Sequence, residues 1–179
     1  MKITLVRHGQ TEANYEKIIQ GLENIPLNDT GRRQCKKLRE KLADKHYDVC
    51  YMSPLLRTVE TAIILIGERV KTIPDKRIVD RNMGDLEGKE NTLYDAHKYW
   101  DYDINCTDNN IEGVREIFDR CRDFLDYVIK KHNGKDILIV SHSAPIRAMR
   151  HLLLKTELKG NLLDKKFENC YCEEFELKE

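Results

Sequence analysis

Short apolar segments alternate along this chain with longer segments in which apolar residues recur every three or four positions. The clearest apolar segment is Ile137 to Val140, and the strongest amphipathic pattern runs from Val114 to about Lys131. The predicted strands are residues 3–6, 47–52 and 137–140, with shorter candidates at 70–73 and 78–79 and a last strand at 170–177. The predicted helices are residues 32–45, 54–66, 114–131 and 144–154. This alternation predicts a three-layer α/β/α fold with a mainly parallel sheet, helices on both faces and an antiparallel edge strand.

The chain length limits how many domains the sequence can form. At 179 residues it is long enough for one domain with a sizeable core and too short for two. Residues 89–111 are irregular and rich in aromatic residues, and they break the alternation. We therefore expect a single domain over residues 1–179, in which residues 89–111 form a small insertion or lid.

Charge and cysteine content restrict the partners and the location. Lys plus Arg and Asp plus Glu are both 31, so the net charge is zero, which argues against nucleic acid or an anionic membrane as partner. The first residues lack the apolar stretch of a signal peptide, and the longest apolar run, Ala62 to Ile66, is too short to span a membrane. Six scattered cysteines are typical of reduced thiols, and we expect a cytoplasmic protein.

Chemically reactive side chains follow several of the predicted strands directly. Arg7 and His8 follow the first strand, Ser53 and then Arg57 follow the second, and His142 follows the strand at 137–140. Asp80 follows the short candidate at 78–79 in the same way. Because parallel strands place their carboxyl ends along one edge of a sheet, these side chains are expected to meet in one crevice.

The residues around this crevice favour an anion. Ser53 and Ser143 are each followed closely by a proline, which predicts that they cap the helices after them. Helix N-termini attract phosphate, and the guanidinium groups of Arg7 and Arg57 match its oxygens. The sequence therefore predicts a cationic phosphate pocket in a neutral chain.

Five blocks of this sequence resemble the histidine phosphatase superfamily, in its phosphoglycerate-mutase-like branch. They are residues 5–14 (LVRHGQTEAN), 26–34 (PLNDTGRRQ), 53–62 (SPLLRTVETA), 84–88 (GDLEG) and 140–143 (VSHS). The blocks occur in the family order and extend over most of the chain.

The resemblance implies a role for each residue of the crevice. His8 would attack phosphorus and form a phosphohistidine, while Arg7, Arg57 and His142 would hold the phosphoryl oxygens as catalytic and substrate-binding residues. Further substrate-binding residues implied are Asn14, Gln10, Thr11, Gly21 and Ser143. The family uses no metal or other cofactor, and the expected partner is a small phosphorylated metabolite.

The proton donor departs from the family pattern. The family has a glutamate four residues before the glycine of the fourth block, and this chain has Asp80 there. Asp80 needs a raised pKa to protonate a leaving group, which burial beside a phosphate would provide. Glu87 and Asp85 remain alternative donors.

The family contains both phosphatases and mutases. The mutases carry a longer insertion with extra basic residues, whereas residues 91–111 contain only Lys98 as a cation. We therefore expect an acid-phosphatase-type phosphomonoesterase, with phosphoglycerate mutase or a catalytically weak phosphate-binding regulatory module as alternatives. Tyr94, Trp100 and their neighbours would either cover an uncharged or cationic part of the substrate or pack on the sheet.

Overall fold

A five-stranded sheet organises the protein, and the computed structural model describes residues 1–177. The strands are β1 (Lys2–Arg7), β2 (Val49–Met52), β3 (Lys71–Pro74), β4 (Asp136–Ser141) and β5 (Cys172–Glu176). They lie in the order β3-β2-β4-β1-β5. All neighbouring pairs are parallel except β1 and β5, so the predicted antiparallel edge strand is confirmed.

Helices cover both faces of this sheet. The helices are α1 (Glu12–Glu16), α2 (Asp29–Lys41), α3 (Leu56–Ile66), α4 (Ala96–Tyr99), α5 (Val114–Lys131) and α6 (Ser143–Leu153). α5 and α6 pack in one core cluster with β1 and β4, and α2 and α3 pack in a second cluster on the other side. The predicted three-layer α/β/α architecture is therefore confirmed.

Strand β4 shows why its sequence is apolar throughout. Ile137 and Ile139 face the core on the α5 and α6 side, whereas Leu138 and Val140 face the core on the α2 and α3 side. Successive side chains of a strand point to opposite faces, so a strand covered on both sides needs apolar residues at every position. Its position in the sheet, between β2 and β1, holds the end of β4 beside the end of β1.

Two local predictions are wrong. Residues 78–79 do not form a strand, because the Asp75 side chain accepts a hydrogen bond from the Arg77 backbone and begins a 3₁₀ helix over Lys76–Ile78. Neither predicted serine caps a helix through its side chain: Ser53 precedes Leu55, the cap of α3, and Ser143 lies inside α6.

Two further properties of the described residues concern membrane spans and cysteines. None of the helices within residues 1–177 is both long and apolar enough to cross a membrane. All six cysteines are free thiols.

Candidate active site

The two predicted site histidines lie side by side at the carboxyl ends of neighbouring strands. Arg7 of β1 stands opposite Ser141 of β4 in the parallel register, so the next residues, His8 and His142, emerge together. Their ring centroids are 5.2 Å apart and the ring planes are inclined at 61°. The predicted meeting of these two rings at one edge of the sheet is confirmed.

His8 is held as a neutral imidazole in one tautomer. Its Nδ1 lies 2.7 Å from the carbonyl oxygen of Gly9, and a carbonyl only accepts, so Nδ1 carries the proton. Burial lowers the pKa of His8 well below 6.5, and the positive charges of Arg7 and Arg57 lower it further. The Nε2 lone pair is therefore unprotonated at neutral pH and available for attack.

The backbone around His8 is fixed by a segment from the far end of the chain. The guanidinium of Arg7 donates to the carbonyl oxygen of Phe167. The His8 carbonyl oxygen accepts two bonds of 3.2 Å, one from the backbone N–H of Cys170 and one from the side chain of Asn169. Residues 167–170 thus position both the guanidinium and the nucleophile.

Arg57 lies at the centre of the buried network below the nucleophile. Its Nε donates to Nδ1 of His142 at 3.2 Å, and its Nη2 donates to a carboxylate oxygen of Asp80 at 3.3 Å. The carbonyl oxygens of Gly21 and Glu23 accept two further bonds, at 2.9 and 2.7 Å. The side chain is fully buried, so these four hydrogen bonds, one of them an ion pair with Asp80, replace its contacts with water.

The hydrogen bonds of His142 fix its tautomer as well. Because an arginine only donates, Nδ1 accepts from Arg57 and Nε2 carries the proton, which it donates to Ser53 Oγ at 2.8 Å. Burial and the adjacent Arg57 lower the pKa of His142 well below 6.5. His142 is therefore neutral, and it orients Arg57.

Asp80 has the properties expected of a proton donor. Burial raises its pKa, and the nearby charge of Arg57 and a hydrogen bond from the Arg81 backbone counteract part of this rise. The alternative donors have other roles: Glu87 accepts backbone bonds from residues 22 and 83, and Asp85 accepts from Asn110. Neither lines the cavity that His8 faces.

That cavity has a volume of about 270 Å³ and adjoins this network at Asp80. Six predicted site residues line it: Arg7, His8, Asn14, Gly21, Asp80 and Ser143. Arg57 and His142 are not among the lining residues; they lie fully buried next to Asp80.

Gln10 and Thr11 are placed differently from the prediction. The Thr11 hydroxyl caps α1 by accepting from the Asn14 backbone, and it donates to Gln20 at 2.8 Å. The Gln10 amide oxygen accepts from Asn28 at 3.0 Å. Neither residue lines the cavity, because Thr11 binds within the loop that carries Asn14 and Gln10 binds Asn28, the cap of α2.

Several residues of the cavity were missed by sequence reasoning. These are Gln20, Arg81 and Arg147, whereas Tyr94 and Trp100, which the sequence analysis named, also line the cavity. Arg147 was detectable, since it lies one turn into the helix that follows His142. Within residues 1–177 no cluster of three His, Cys, Asp or Glu side chains is arranged to hold a metal ion.

Fold and site together define an α/β protein in which a neutral imidazole faces a small cavity surrounded by arginines. Residues 3–179 match the histidine phosphatase superfamily (branch 1), and the chain belongs to this family.

Individual relatives agree with this assignment. Phosphoglycerate mutase-like protein 4 of Arabidopsis thaliana is 33% identical over 83% of this chain and 69% of its own length. Phosphoserine phosphatase 1 of Hydrogenobacter thermophilus is 32% identical over 88% of this chain and 78% of its own length. The structure of Bacillus stearothermophilus YhfR superimposes with a TM-score of 0.87 at 24% identity, covering 99% of this chain and 91% of that one. This structural likeness shows the same fold.

Proposed function

We propose that this protein is a phosphatase that hydrolyses phosphate monoesters of small metabolites through a phosphohistidine on His8. The observation that carries the proposal is that His8, whose Nε2 is unprotonated, lines a cavity together with Arg7. Membership of the histidine phosphatase superfamily supports it, as does the relative named phosphoserine phosphatase.

The phosphate would bind between Arg7 and Asn14. The Asn14 side-chain oxygen already accepts from Asn169 and from the Thr11 backbone, which leaves its NH₂ group for the ligand. Arg57 would also bind the phosphate. Its hydrogen bond to Asp80 would be replaced by one to a phosphoryl oxygen, since the two anions would compete for one guanidinium. His142 would keep the planar Arg57 group in position during this exchange.

In the first step the Nε2 lone pair of His8 attacks phosphorus while the ester P–O bond breaks. The leaving alkoxide takes a proton from Asp80, and the Gly9 carbonyl stabilises the N–H of the phosphorylated ring. In the second step water attacks the phosphohistidine and releases inorganic phosphate, and the Asp80 carboxylate accepts a proton from that water.

Phosphate binding itself would prepare Asp80 for this role. In the structure Arg57 counteracts the effect of burial on the pKa of Asp80. The phosphate replaces Asp80 as the partner of Arg57 and adds negative charge beside the carboxyl group. Both changes raise the pKa of Asp80 further, so the acid form is favoured. Because a protonated carboxyl is required, we also propose an acid-phosphatase-type pH dependence.

The Asp80→Asn variant tests the acid role with two substrates. On an alkyl phosphate, whose leaving group needs a proton, we expect kcat to fall by about 100-fold or more. On p-nitrophenyl phosphate, whose leaving group needs none, we expect a much smaller loss. An equal loss on both substrates would exclude Asp80 as the proton donor.

Hydrolysis is preferred over a mutase reaction because residues 91–111 supply no unpaired lysine or arginine to hold a bisphosphate. Lys98, the only basic residue of 91–111 apart from His97, forms an ion pair with Asp108 at 2.6 Å and does not line the cavity. The assay that separates the two activities compares phosphate release with isomerisation of 3-phosphoglycerate in the presence of a bisphosphate primer.

We further propose that residues 89–111 act as a lid and that the protein is cytoplasmic. Tyr94, Ala96 and Trp100 of this segment line the cavity, and Trp100 also packs in the core, so the segment joins the cavity wall to the fold. The six free thiols support a reducing compartment.

A further inference from the structure

Two cysteine side chains meet beside the loop that carries the nucleophile. The sulfur atoms of Cys35, in α2, and Cys170, in the segment before β5, are 3.5 Å apart. Both are free thiols; Cys35 is buried, whereas Cys170 is partly exposed. The pair therefore joins a buried position of the fold to one that solvent reaches.

Each cysteine of the pair contacts the backbone next to His8. A Cβ atom added to Gly9 would lie 2.8 Å from the Cys35 sulfur, so this thiol packs against the residue that follows the nucleophile. The backbone N–H of Cys170 donates to the His8 carbonyl oxygen at 3.2 Å. A change in the position of either cysteine would therefore disturb the backbone that holds His8.

A chain of hydrogen bonds links the pair to the buried arginine network. The Thr61 hydroxyl donates to the Arg57 carbonyl oxygen at 2.7 Å. The same hydroxyl oxygen accepts from the Gly9 backbone at 3.1 Å and contacts the Cys35 sulfur at 3.6 Å. Because the only proton of this hydroxyl goes to Arg57, the bond between Cys35 and Thr61 needs the S–H of the cysteine. A Cys35 sulfur without a hydrogen could not make this bond.

We propose that Cys35 and Cys170 form a modification site, at which hydrogen peroxide oxidises the two thiols to a disulfide and thereby inactivates the protein. A disulfide bond is about 2.05 Å long, so the two sulfurs, which are 3.5 Å apart as thiols, must approach each other. The approach displaces the segment that binds the His8 carbonyl, and the bond from Cys35 to Thr61 is lost. The inactivation rests on the proposed function, whereas formation of the disulfide does not.

The contact between the two sulfurs favours the thiolate that this reaction needs. A hydrogen bond from the Cys170 thiol stabilises a thiolate on Cys35 and lowers the pKa of Cys35. Peroxide reaches the pair from the side of Cys170, which is partly exposed. The thiolate attacks one peroxide oxygen and the O–O bond breaks, so that a sulfenic acid forms and one water leaves after protonation.

The second thiol then completes the disulfide. Its sulfur attacks the sulfenic sulfur, the S–S bond forms, the S–O bond breaks, and the oxygen leaves as a second water with the proton of this thiol. In total, two thiols and one hydrogen peroxide give one disulfide and two waters. Because the two sulfurs are already in contact, the second step needs no large rearrangement of the chain.

The test treats the purified protein with hydrogen peroxide, blocks the remaining thiols, and measures the cross-link and the activity. Trypsin releases Cys35 in peptide 34–36 and Cys170 in peptide 167–178, which also contains Cys172. The Cys172→Ser variant is therefore treated beside the wild type, because a cross-link between these peptides can then join only Cys35 to Cys170. In both proteins we expect the cross-link and a loss of p-nitrophenyl phosphate turnover of about 100-fold at full oxidation, the effect of a misplaced reacting group. Dithiothreitol should reverse both changes.

The Cys35→Ser variant locates the effect. Its serine hydroxyl can still donate to Thr61, but the variant cannot form the disulfide. The turnover of each protein is compared with that of the same protein before treatment, and peroxide should leave the turnover of Cys35→Ser unchanged. If Cys35→Ser fails to fold, the cross-link in Cys172→Ser and its reversal still decide the question.

The outcomes separate this inference from the proposed function. Absence of the cross-link between peptides 34–36 and 167–178 overturns the modification site. A cross-link without loss of turnover, or an equal loss in Cys35→Ser, overturns its effect on the nucleophile. If the untreated wild type does not turn over p-nitrophenyl phosphate, the proposed function is wrong, and the cross-link still tests the site by itself.

Discussion

His8 and His142 are kept neutral by their burial and by the arginines around them, and this makes the folded protein less stable at low pH. The pKa of each is lowered well below 6.5 in the folded protein, whereas in the unfolded chain both titrate near 6.5. Between the two pKa values the unfolded chain binds protons that the folded protein does not. The stability that these residues contribute is therefore present above about pH 6.5 and is lost as the pH falls below it.

We predict that the His142→Gln variant loses part of this pH dependence. Each imidazole contributes a slope of up to about 1.4 kcal/mol per pH unit to the free energy of unfolding below pH 6.5. Urea unfolding at pH 5.5 and 7.5 measures the difference for wild type and variant, and the other histidines contribute equally to both. Identical differences in the two proteins would show that His142 does not titrate as proposed.

The residues of the site differ in how well the neighbouring sequence predicts their role. Arg7, His8, Arg57 and His142 each follow a predicted strand within a recognisable block, Asp80 lies four residues before such a block, and the structure brings all five together. Asn169 was missed because its role depends on a partner far away in sequence, the His8 carbonyl oxygen. Gln10 and Thr11 do not line the cavity because their side chains have other partners: Thr11 caps α1 and Gln10 binds Asn28.

At the level of elements, the first turn of α2 supports the loop after β1. A Cβ atom added to Gly31 would lie 2.1 Å from the carbonyl oxygen of Gln10, and one added to Gly9 would lie 2.7 Å from the carbonyl oxygen of Gly31. The backbones of the helix and the nucleophile loop therefore touch directly. Glycine at these two positions allows the contact.

We predict that Gly31→Ala destabilises the protein and lowers its activity. Alanine in a helix normally gains about 1 kcal/mol over glycine, but here the overlap with the Gln10 backbone should cost more, about 1–3 kcal/mol net. Lys37→Ala, at an exposed position of the same helix, is the control and should be nearly neutral. A Gly31→Ala protein as stable as the wild type would show that the loop moves aside easily.

The elements that the sequence predicted best are those with long patterns. The α5 prediction agrees at both ends, because its apolar stripe is continuous over 18 residues. The prediction at 78–79 was wrong since two β-prone residues cannot outweigh the turn made by Asp75. The predicted start of α3 near Ser53 was wrong because the Ser53 hydroxyl hydrogen-bonds to His142. Local sequence patterns do not show such a tertiary contact.

At the scale of the whole molecule, the distribution of charge decides anion binding more than the net charge of zero does. Arg7, Arg81 and Arg147 line the cavity and Arg57 lies next to it, so positive charge is concentrated at one end of the sheet. Folding must hold these charges together without a ligand. An anion that binds the folded protein alone should therefore stabilise it as a whole.

We predict that inorganic phosphate raises the melting temperature of the protein. At a concentration a hundred times its dissociation constant, the gain is about 2.7 kcal/mol, or about 5–10 °C for a chain of this size. Chloride at equal ionic strength is the control for screening. The rise in melting temperature should disappear in Arg57→Met, where each protein is compared with its own melting temperature without phosphate. An undiminished rise in this variant would show that phosphate binds at another site.

The contacts of residues 167–171 have a consequence for protein synthesis. The partners of the His8 carbonyl oxygen and of the Arg7 guanidinium belong to a segment that is translated some 160 residues after these two residues. A nascent chain that already contains both histidines still lacks the groups that aim the nucleophile. Hydrolysis would therefore begin only after residues 167–170 have been translated, and copies that end before this segment would not attack the metabolite pool.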